Sequence, residues 1–316
     1  MIGSGAIGCY YGGLLAKSGR EVHFLFHSDY EQAANEGLRM DSVDGDYHIK
    51  VNAYNDTKKM PKCDVVIVSL KTTSNHLIPS LITPILKPDS VVMMIQNGYG
   101  LEHDLAEQMP PTLKIIGCMA FICSTKIAPA HVSHIDYGAL TMGSYQNVSE
   151  ELLNSIASDL SEAAIDVHIA HDLNTARWKK LVWNIPYNGL CALTNKLTSE
   201  LMSAPDTRAL LLELMNEVIS GARACGAEIR DAFADDMMSS TEKMKPYKPS
   251  MMVDRQSGRR MELKYIYQRP IEEAAARGLD IPRAKELLAA LQEINVGALR
   301  QKCEKITGRS RGDFCP

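Results

Sequence analysis

Lys180, Asn184 and Asn188 follow one another at intervals of four residues. On a helix that spacing puts all three on one face. The surrounding segment, Arg177 to Asn188, is otherwise largely apolar. One ammonium and two amides in line suit a carboxylate and a carbonyl, and the ammonium can deliver a proton. The same spacing also describes an ordinary solvated helix face, and spacing alone leaves both readings open. Pro186 removes one backbone hydrogen bond inside this helix and is expected to kink it. Glu262 stands among apolar neighbours at the start of a later helical stretch, where glutamate also serves the helix dipole.

A second pattern opens the chain: Gly3-Ser4-Gly5-Ala6-Ile7-Gly8, followed by the helical stretch Cys9 to Lys17 and then Gly19. This G-x-G-x-x-G run is the phosphate-cradling turn of a dinucleotide-binding βαβ unit. Gly3 permits the tight turn, Gly5 lets backbone approach a pyrophosphate, and Gly8 lets the helix pack closely on the sheet. The helix N-terminus offers N–H groups and a positive dipole end. Only Met1 and Ile2 precede the turn, whereas a strand needs roughly five residues. A first strand shortened at its N-terminal side is therefore expected.

The end of the second strand distinguishes the two nicotinamide dinucleotides. An acid there binds the ribose 2′-hydroxyl of NAD, and basic or hydroxyl groups suit the 2′-phosphate of NADP. Here the strand runs out as Phe26-His27-Ser28, with no acid before Asp29. His27 and Ser28 are the candidates for the 2′-phosphate, and Lys71, just past another apolar strand, for the other phosphates. A plain solvated loop is the alternative. NADP (NADPH) is the favoured cofactor.

The elements that position these residues fall into two halves. Up to His171 the chain alternates strands and helices: Glu21–Phe26, Asp64–Leu70, Ser90–Ile95, Lys114–Cys123 and Val167–Ile169 read as strands. His131–His134 and Leu140–Gly143 read as two short strands of a late, antiparallel segment. Leu77–Leu86, Gly100–Gln108 and Glu150–Ala163 read as helices. The pattern predicts an α/β fold, a Rossmann-type doubly wound sheet. From Leu173 onward strand signals vanish, and helices are expected over Thr175–Asn188, Pro205–Gly226, Phe233–Met244, Met261–Gly278 and Pro282–Arg300. The expected organisation is a dinucleotide-binding domain over 1–171, an all-helical substrate domain over 172–305 and a disordered tail over 306–316.

Composition narrows the function classes. A chain of 316 residues, 45% hydrophobic and 23% charged, is an ordinary globular protein. A formal net charge of −4 gives no footprint for nucleic acid or an anionic membrane surface. No apolar run is long enough for a membrane span, and no secretory leader is visible. The eight cysteines show neither C-x-x-C nor zinc-ligand spacing, which suits reduced cytoplasmic thiols and no metal. The apolar helical half is compatible with a homodimer, although periodicity does not separate an interface from a core.

Four blocks together carry a specific resemblance: Gly3 to Gly8; Gln96-Asn97-Gly98; Trp178 to Asn188; and Pro249-Ser250-Met251-Met252 with Glu262 twelve residues after Ser250. In order and spacing the chain resembles the ketopantoate reductase (2-dehydropantoate 2-reductase) family over nearly its whole length. The resemblance implies that Lys180 is the general acid and that Glu262 orients substrate and lysine. It places Asn97 beside the nicotinamide and the reacting centre. It makes Asn184, Asn188, Ser250 and Glu262 substrate contacts. The implied activity is NADPH-dependent reduction of a small 2-oxo acid, 2-dehydropantoate, to pantoate, on the way to pantothenate and coenzyme A. Three positions depart from the family's usual pattern: His27 where arginine is common, Gln268 where glycine is common, and Pro186 within the lysine helix. Two rival readings keep the fold: a reductase of another 2-oxo acid, and a non-catalytic dinucleotide-binding sensor. The second has no need for a lysine and a glutamate at matching spacing.

Overall fold

The computed structural model describes residues 1–307, with the backbone alone from 296 to 307. The chain forms two compact units. One holds Met1–Asn97 and Leu101–Leu173, and the other holds Gly98–Gly100 and the chain from Asn174 onward.

The first unit is mixed α/β. Its strands are β1 (His23–Leu25), β2 (Leu38–Ser42), β3 (Tyr47–Ile49), β4 (Asn52–Tyr54), β5 (Cys63–Val68), β6 (Leu86–Ile95), β7 (Lys114–Ala128), β8 (His131–Gln146) and β9 (Val167–Ile169). Its helices are α1 (Ala6–Lys17), α2 (Tyr30–Glu36), α3 (Ile78–Ile82), α4 (Leu101–Ala106) and α5 (Glu150–Glu162). Strands β5, β6 and β7 run parallel, as do β1 with β4 and β8 with both β2 and β9. The β7–β8 and β2–β3 pairs are antiparallel. β5 and β6 are apolar because neighbours cover both faces, as in most parallel sheets.

Ile2 supplies the link in the middle of this sheet. It bridges Leu25 of β1 on one side and Val68 of β5 on the other, both in parallel sense. Its N–H donates to the Ile67 carbonyl at 2.8 Å, and its own carbonyl accepts from the Ser69 N–H at 2.9 Å. The two residues ahead of Gly3 therefore occupy the first strand's place between β1 and β5.

Helix α1 lies against the sheet at a distance only glycine allows. A Cβ on Gly8 would sit 2.1 Å from the Gly3 carbonyl oxygen and 2.5 Å from the Ser69 hydroxyl. Cys9, Tyr11 and Leu15 of the same helix are buried in one core with Phe24, Phe26, Leu38, Met93 and Ile116. Sheet and helix thus exclude water from a common face, the main favourable term in such packing.

Several elements differ from the sequence expectation. β8 is one strand, not two, because the Asp136-Tyr137-Gly138 signal is a bulge: Ile122 pairs Tyr137 and Phe121 pairs Ala139, with Gly138 at φ +144° between them. The Leu77–Leu86 helix breaks into 3-10 turns at Thr72–Leu77 and Thr83–Ile85 around the short α3, as Pro79 and Pro84 dictate. Strands β2, β3 and β4 and helix α2 were not expected, being short and partly exposed.

The second unit is helical: α6 (Leu173–Thr194), α7 (Thr198–Ser203), α8 (Pro205–Ala224), α9 (Phe233–Glu242), α10 (Ser250–Gln256), α11 (Arg269–Ala276) and α12 (Pro282–Thr307). α12 runs on past Arg300 through good helix formers, so residues 306 and 307 are helical rather than tail; 308–316 lie outside the described residues. α6 is the central helix. Trp178, Leu181, Val182 and Ile185 are buried in one core with Leu211, Leu214, Met215 and Val218 of α8. The Met261–Gly278 stretch resolves into a π-helical turn at Lys264–Gln268 followed by α11. Among the described residues no helix is long and apolar enough to cross a membrane.

The π turn is tied to α6. The buried Tyr267 hydroxyl donates to the Ile185 carbonyl at 2.9 Å, and a Cβ on Gly189 would stand 2.6 Å from that hydroxyl. Tyr267→Phe is expected to lower unfolding stability by about 1 kcal/mol, the net value of one such bond. Gly8→Ala is expected to lower it by about 1–3 kcal/mol, as overpacking does. Thermal or urea unfolding of each variant measures both. An unchanged midpoint would show that neither contact restrains the fold.

Candidate active site

The first unit builds its site at the carboxyl ends of β1, β5 and β6, where open α/β sheets bind ligands. Gly3 sits at φ +97°, and a Cβ there would lie 2.7 Å from the Leu70 amide nitrogen, so this turn requires glycine. The turn is fastened on both sides. The Ser69 hydroxyl donates to the Gly3 carbonyl at 2.6 Å, and the Ser4 hydroxyl donates to the Leu25 carbonyl at 2.8 Å. Gln96, at the end of β6, donates to the Leu70 carbonyl at 2.6 Å and to Asn75 Oδ1 at 2.7 Å. It is a site-building residue that its place beside Asn97 and Gly98 did not by itself identify.

Gly5 differs from its two partner glycines. A Cβ there would meet nothing within 4 Å. The N-terminus of α1, which begins one residue later, has no side-chain cap. Open space over bare backbone, next to N–H groups that no side chain has taken, fits a pyrophosphate. Cys9 in the first turn of α1 is not a nucleophile. Burial pushes its thiol up to about 12, and it donates to the Ser4 carbonyl.

His27, Ser28 and Lys71 are exposed, and Asn97 is half-buried after β6. Next to Ser28 lies a group the sequence did not connect. Asp29 is 5% exposed. Its Oδ2 accepts from the Lys126 ammonium at 2.6 Å and from the Ala130 N–H at 3.0 Å; its Oδ1 accepts from the Ser28 hydroxyl at 2.8 Å. Burial opposes ionisation of this carboxyl, but the bonds from Lys126, Ala130 and Ser28 outweigh it and hold its pKa below the usual carboxylate range. Asp29 and Lys126 are 97 positions apart, so no local pattern announces them as a pair.

The second unit carries the polar stripe of α6. Asn184 and Asn188 are each 2% exposed, and Lys180 is half-buried. The stripe is therefore not a solvated face. The Lys180 ammonium lies 6.0 Å from the centre of the Trp183 ring. The Nδ2 of Asn184 is buried and has no hydrogen-bond partner among the described residues. Buried amides are nearly always paired, so this donor is the kind of group that a ligand completes. Glu262, 6% exposed, directly precedes the helical turn that leads into the π segment. π turns are rare and concentrate at functional sites. Ser250 is the first residue of α10 and is half-buried.

The π segment also holds the loop after Asn97. The Tyr99 N–H donates to the Tyr265 carbonyl at 2.8 Å. Gly98 has φ +118°, and a Cβ there would lie 2.5 Å from Tyr265 Cβ, so only glycine fits. Tyr99 packs on Trp178 with ring centroids 5.1 Å apart. Asn97 is thus followed at once by a backbone anchor in the helical unit. Among the described residues, no cluster of three or more His, Cys, Asp or Glu side chains is arranged to hold a metal ion.

Known proteins resemble this chain across both units. The model of the ketopantoate reductase PanE/ApbA family matches residues 1–147, and that of its C-terminal domain matches residues 172–295. A 2-dehydropantoate 2-reductase of Nostoc sp. is 45% identical over 289 residues, covering 90% of this chain and 90% of the relative. The structure of a 2-dehydropantoate 2-reductase from Geobacter metallireducens superposes with a TM-score of 0.90 at 38% identity, covering 92% of this chain and 98% of that one. The corresponding structure from Methylococcus capsulatus gives 0.83 at 31% identity, covering 98% and 97%. The sheet with its glycine turn, the helical unit with its lysine stripe, and these matches together make the chain an enzyme, an oxidoreductase of the ketopantoate reductase family.

Proposed function

We propose that this enzyme reduces 2-dehydropantoate to pantoate with NADPH, a step toward pantothenate and coenzyme A. Family membership carries the coarser statement, a nicotinamide-dinucleotide-dependent reductase of a small keto acid. The observation that supports the specific reading best is the α6 stripe: a lysine in line with two asparagines that are 2% exposed, one of them with a buried, unpartnered amide nitrogen.

When bound, the reduced nicotinamide supplies a hydride to the 2-keto carbon. The protein's part is to hold the acid and move a proton. The amides of Asn184 and Asn188, with the Ser250 hydroxyl, bind the substrate's carboxylate and hydroxyl oxygens. The Lys180 ammonium hydrogen-bonds the keto oxygen, stabilises the negative charge that builds there and gives it the proton. Glu262 accepts from substrate and lysine and fixes their mutual orientation. Asn97 positions the reacting centre from the end of β6. In the cofactor unit, the backbone from Gly3 through Ser4, Gly5, Ala6 and Ile7 to Gly8 cradles the pyrophosphate, and Lys71 lies beside it. His27 and Ser28 meet the 2′-phosphate. The Ser28 hydroxyl donates its single proton to Asp29, so Ser28 serves through its backbone N–H.

The test is oxidation of NADPH in the presence of 2-dehydropantoate, beside a panel of other 2-oxo acids. 2-Dehydropantoate is expected to give the highest kcat/KM. Lys180→Ala is expected to lower kcat by about 100- to 10,000-fold, the range for loss of a general acid. Its affinity for NADPH should stay within about twofold, since Lys180 is assigned to the substrate. Turnover surviving in Lys180→Ala would remove the lysine from the chemistry. A different best substrate would move the enzyme to another 2-oxo acid.

A further inference from the structure

We infer that Lys126 is a cofactor-selecting residue: held by Asp29 at the end of β1, its ammonium binds the 2′-phosphate of NADP. This rests on the reading of the cofactor as NADP and adds to it a residue from a distant strand.

At the end of the second parallel strand, a carboxylate selects NAD by accepting from the ribose hydroxyls. This chain has a carboxylate close to that position, Asp29, but it is already engaged. Three donors from Lys126, Ala130 and Ser28 converge on its two oxygens, and its side chain is 6% exposed. Its negative charge is balanced locally by the ammonium. The Lys126 side chain is 35% exposed, so the solvent-facing member of the pair is the cation. An acid buried beneath a lysine thus leaves the lysine's remaining donors, and no free carboxylate, facing solvent where an NAD enzyme presents an acid.

The surroundings agree in position. The pair adjoins the exposed His27 and Ser28, the residues after β1. It also acts electrostatically on the Cys9 thiol, one residue past the glycine turn, whose sulfur bonds the Ser4 carbonyl. Ser4 in turn bonds the Leu25 carbonyl at the end of β1. Through Asp29, Lys126 stands next to Ser28, in the loop that follows β1. An ammonium has three donors, and one is directed at Asp29. The others suit a phosphate, for which lysine serves as a point charge.

The competing explanation is a structural clamp, with Lys126 merely neutralising a buried carboxylate. Calorimetric binding of NADPH and of NADH to the wild-type protein, Lys126→Ala and the double variant Asp29→Asn/Lys126→Ala separates the two. The double variant removes the buried charge that the single variant would leave uncompensated, so it remains informative if Lys126→Ala folds poorly. NADPH affinity is expected to fall on the order of 10- to 100-fold in both variants, as for a lost charged hydrogen bond. NADH affinity in the double variant should change by less than about twofold, because that ligand has no 2′-phosphate. Lys126→Arg should retain the preference for NADPH. Equal losses for NADPH and NADH in the double variant, or no loss for either, would overturn the inference. If the wild-type protein itself bound NADPH no more tightly than NADH, the NADP reading would fail first. A wild-type preference that survives Lys126→Ala would refute the role of Lys126 alone.

Discussion

Burying an amide without completing its hydrogen bonds is unfavourable by about 1–3 kcal/mol, and the helical unit of this enzyme accepts that penalty on its central helix. α6 is packed on nearly all sides by apolar residues from Trp178 to Cys191, yet it keeps Asn184 and Asn188 inside. The remainder of the unit arranges itself around this constraint. Tyr267 reaches the Ile185 carbonyl and sits over Gly189, which pins the π turn to α6. That turn begins just after Glu262, and its Tyr265 carbonyl receives the Tyr99 N–H from the loop after Asn97. Hydrogen-bonded contacts between α6 and the π turn thus position the unit's polar groups, as precise site geometry requires.

The other unit solves the opposite problem. A dinucleotide needs backbone without side chains, and here each glycine of the turn has a separate physical reason. Gly3 satisfies a positive φ, Gly8 a contact of atoms that leaves no room for a Cβ, and Gly5 nothing internal at all. Gly5, the N-cap of α1, leaves open space over bare backbone that a ligand can approach. Ser4 and Ser69 then tie the turn to the ends of β1 and β5, and Gln96 holds Leu70 beside it, so the backbone is pre-positioned for a cofactor.

Much of this was legible in the sequence because local chemistry dictated it. The G-x-G-x-x-G run, the apolar β5 and β6 and the i, i+4, i+8 spacing of Lys180, Asn184 and Asn188 are all short-range signals. Burial of the stripe was not legible, since periodicity describes a face but not what covers it. Nor was the Asp29–Lys126 pair, whose partners, 97 positions apart, meet only when the end of β7 reaches the start of α2. The π turn was hidden because its sequence, Lys264-Tyr265-Ile266-Tyr267-Gln268, reads as ordinary helix. The two short strands expected at His131–His134 and Leu140–Gly143 are one strand with a bulge at Gly138, because turn residues inside a strand and between strands look alike.

The central claim is that the Asn184 amide stays buried for a ligand and not for the fold. The most direct test is the unfolding stability of Asn184→Leu without any ligand, measured beside the wild-type protein. If the amide serves a ligand, replacing it with an apolar side chain removes an unpaired donor, and the unfolding midpoint should equal or exceed that of the wild type. A loss of about 2 kcal/mol or more would contradict the account, because that is the scale on which a fold depends on a buried polar group.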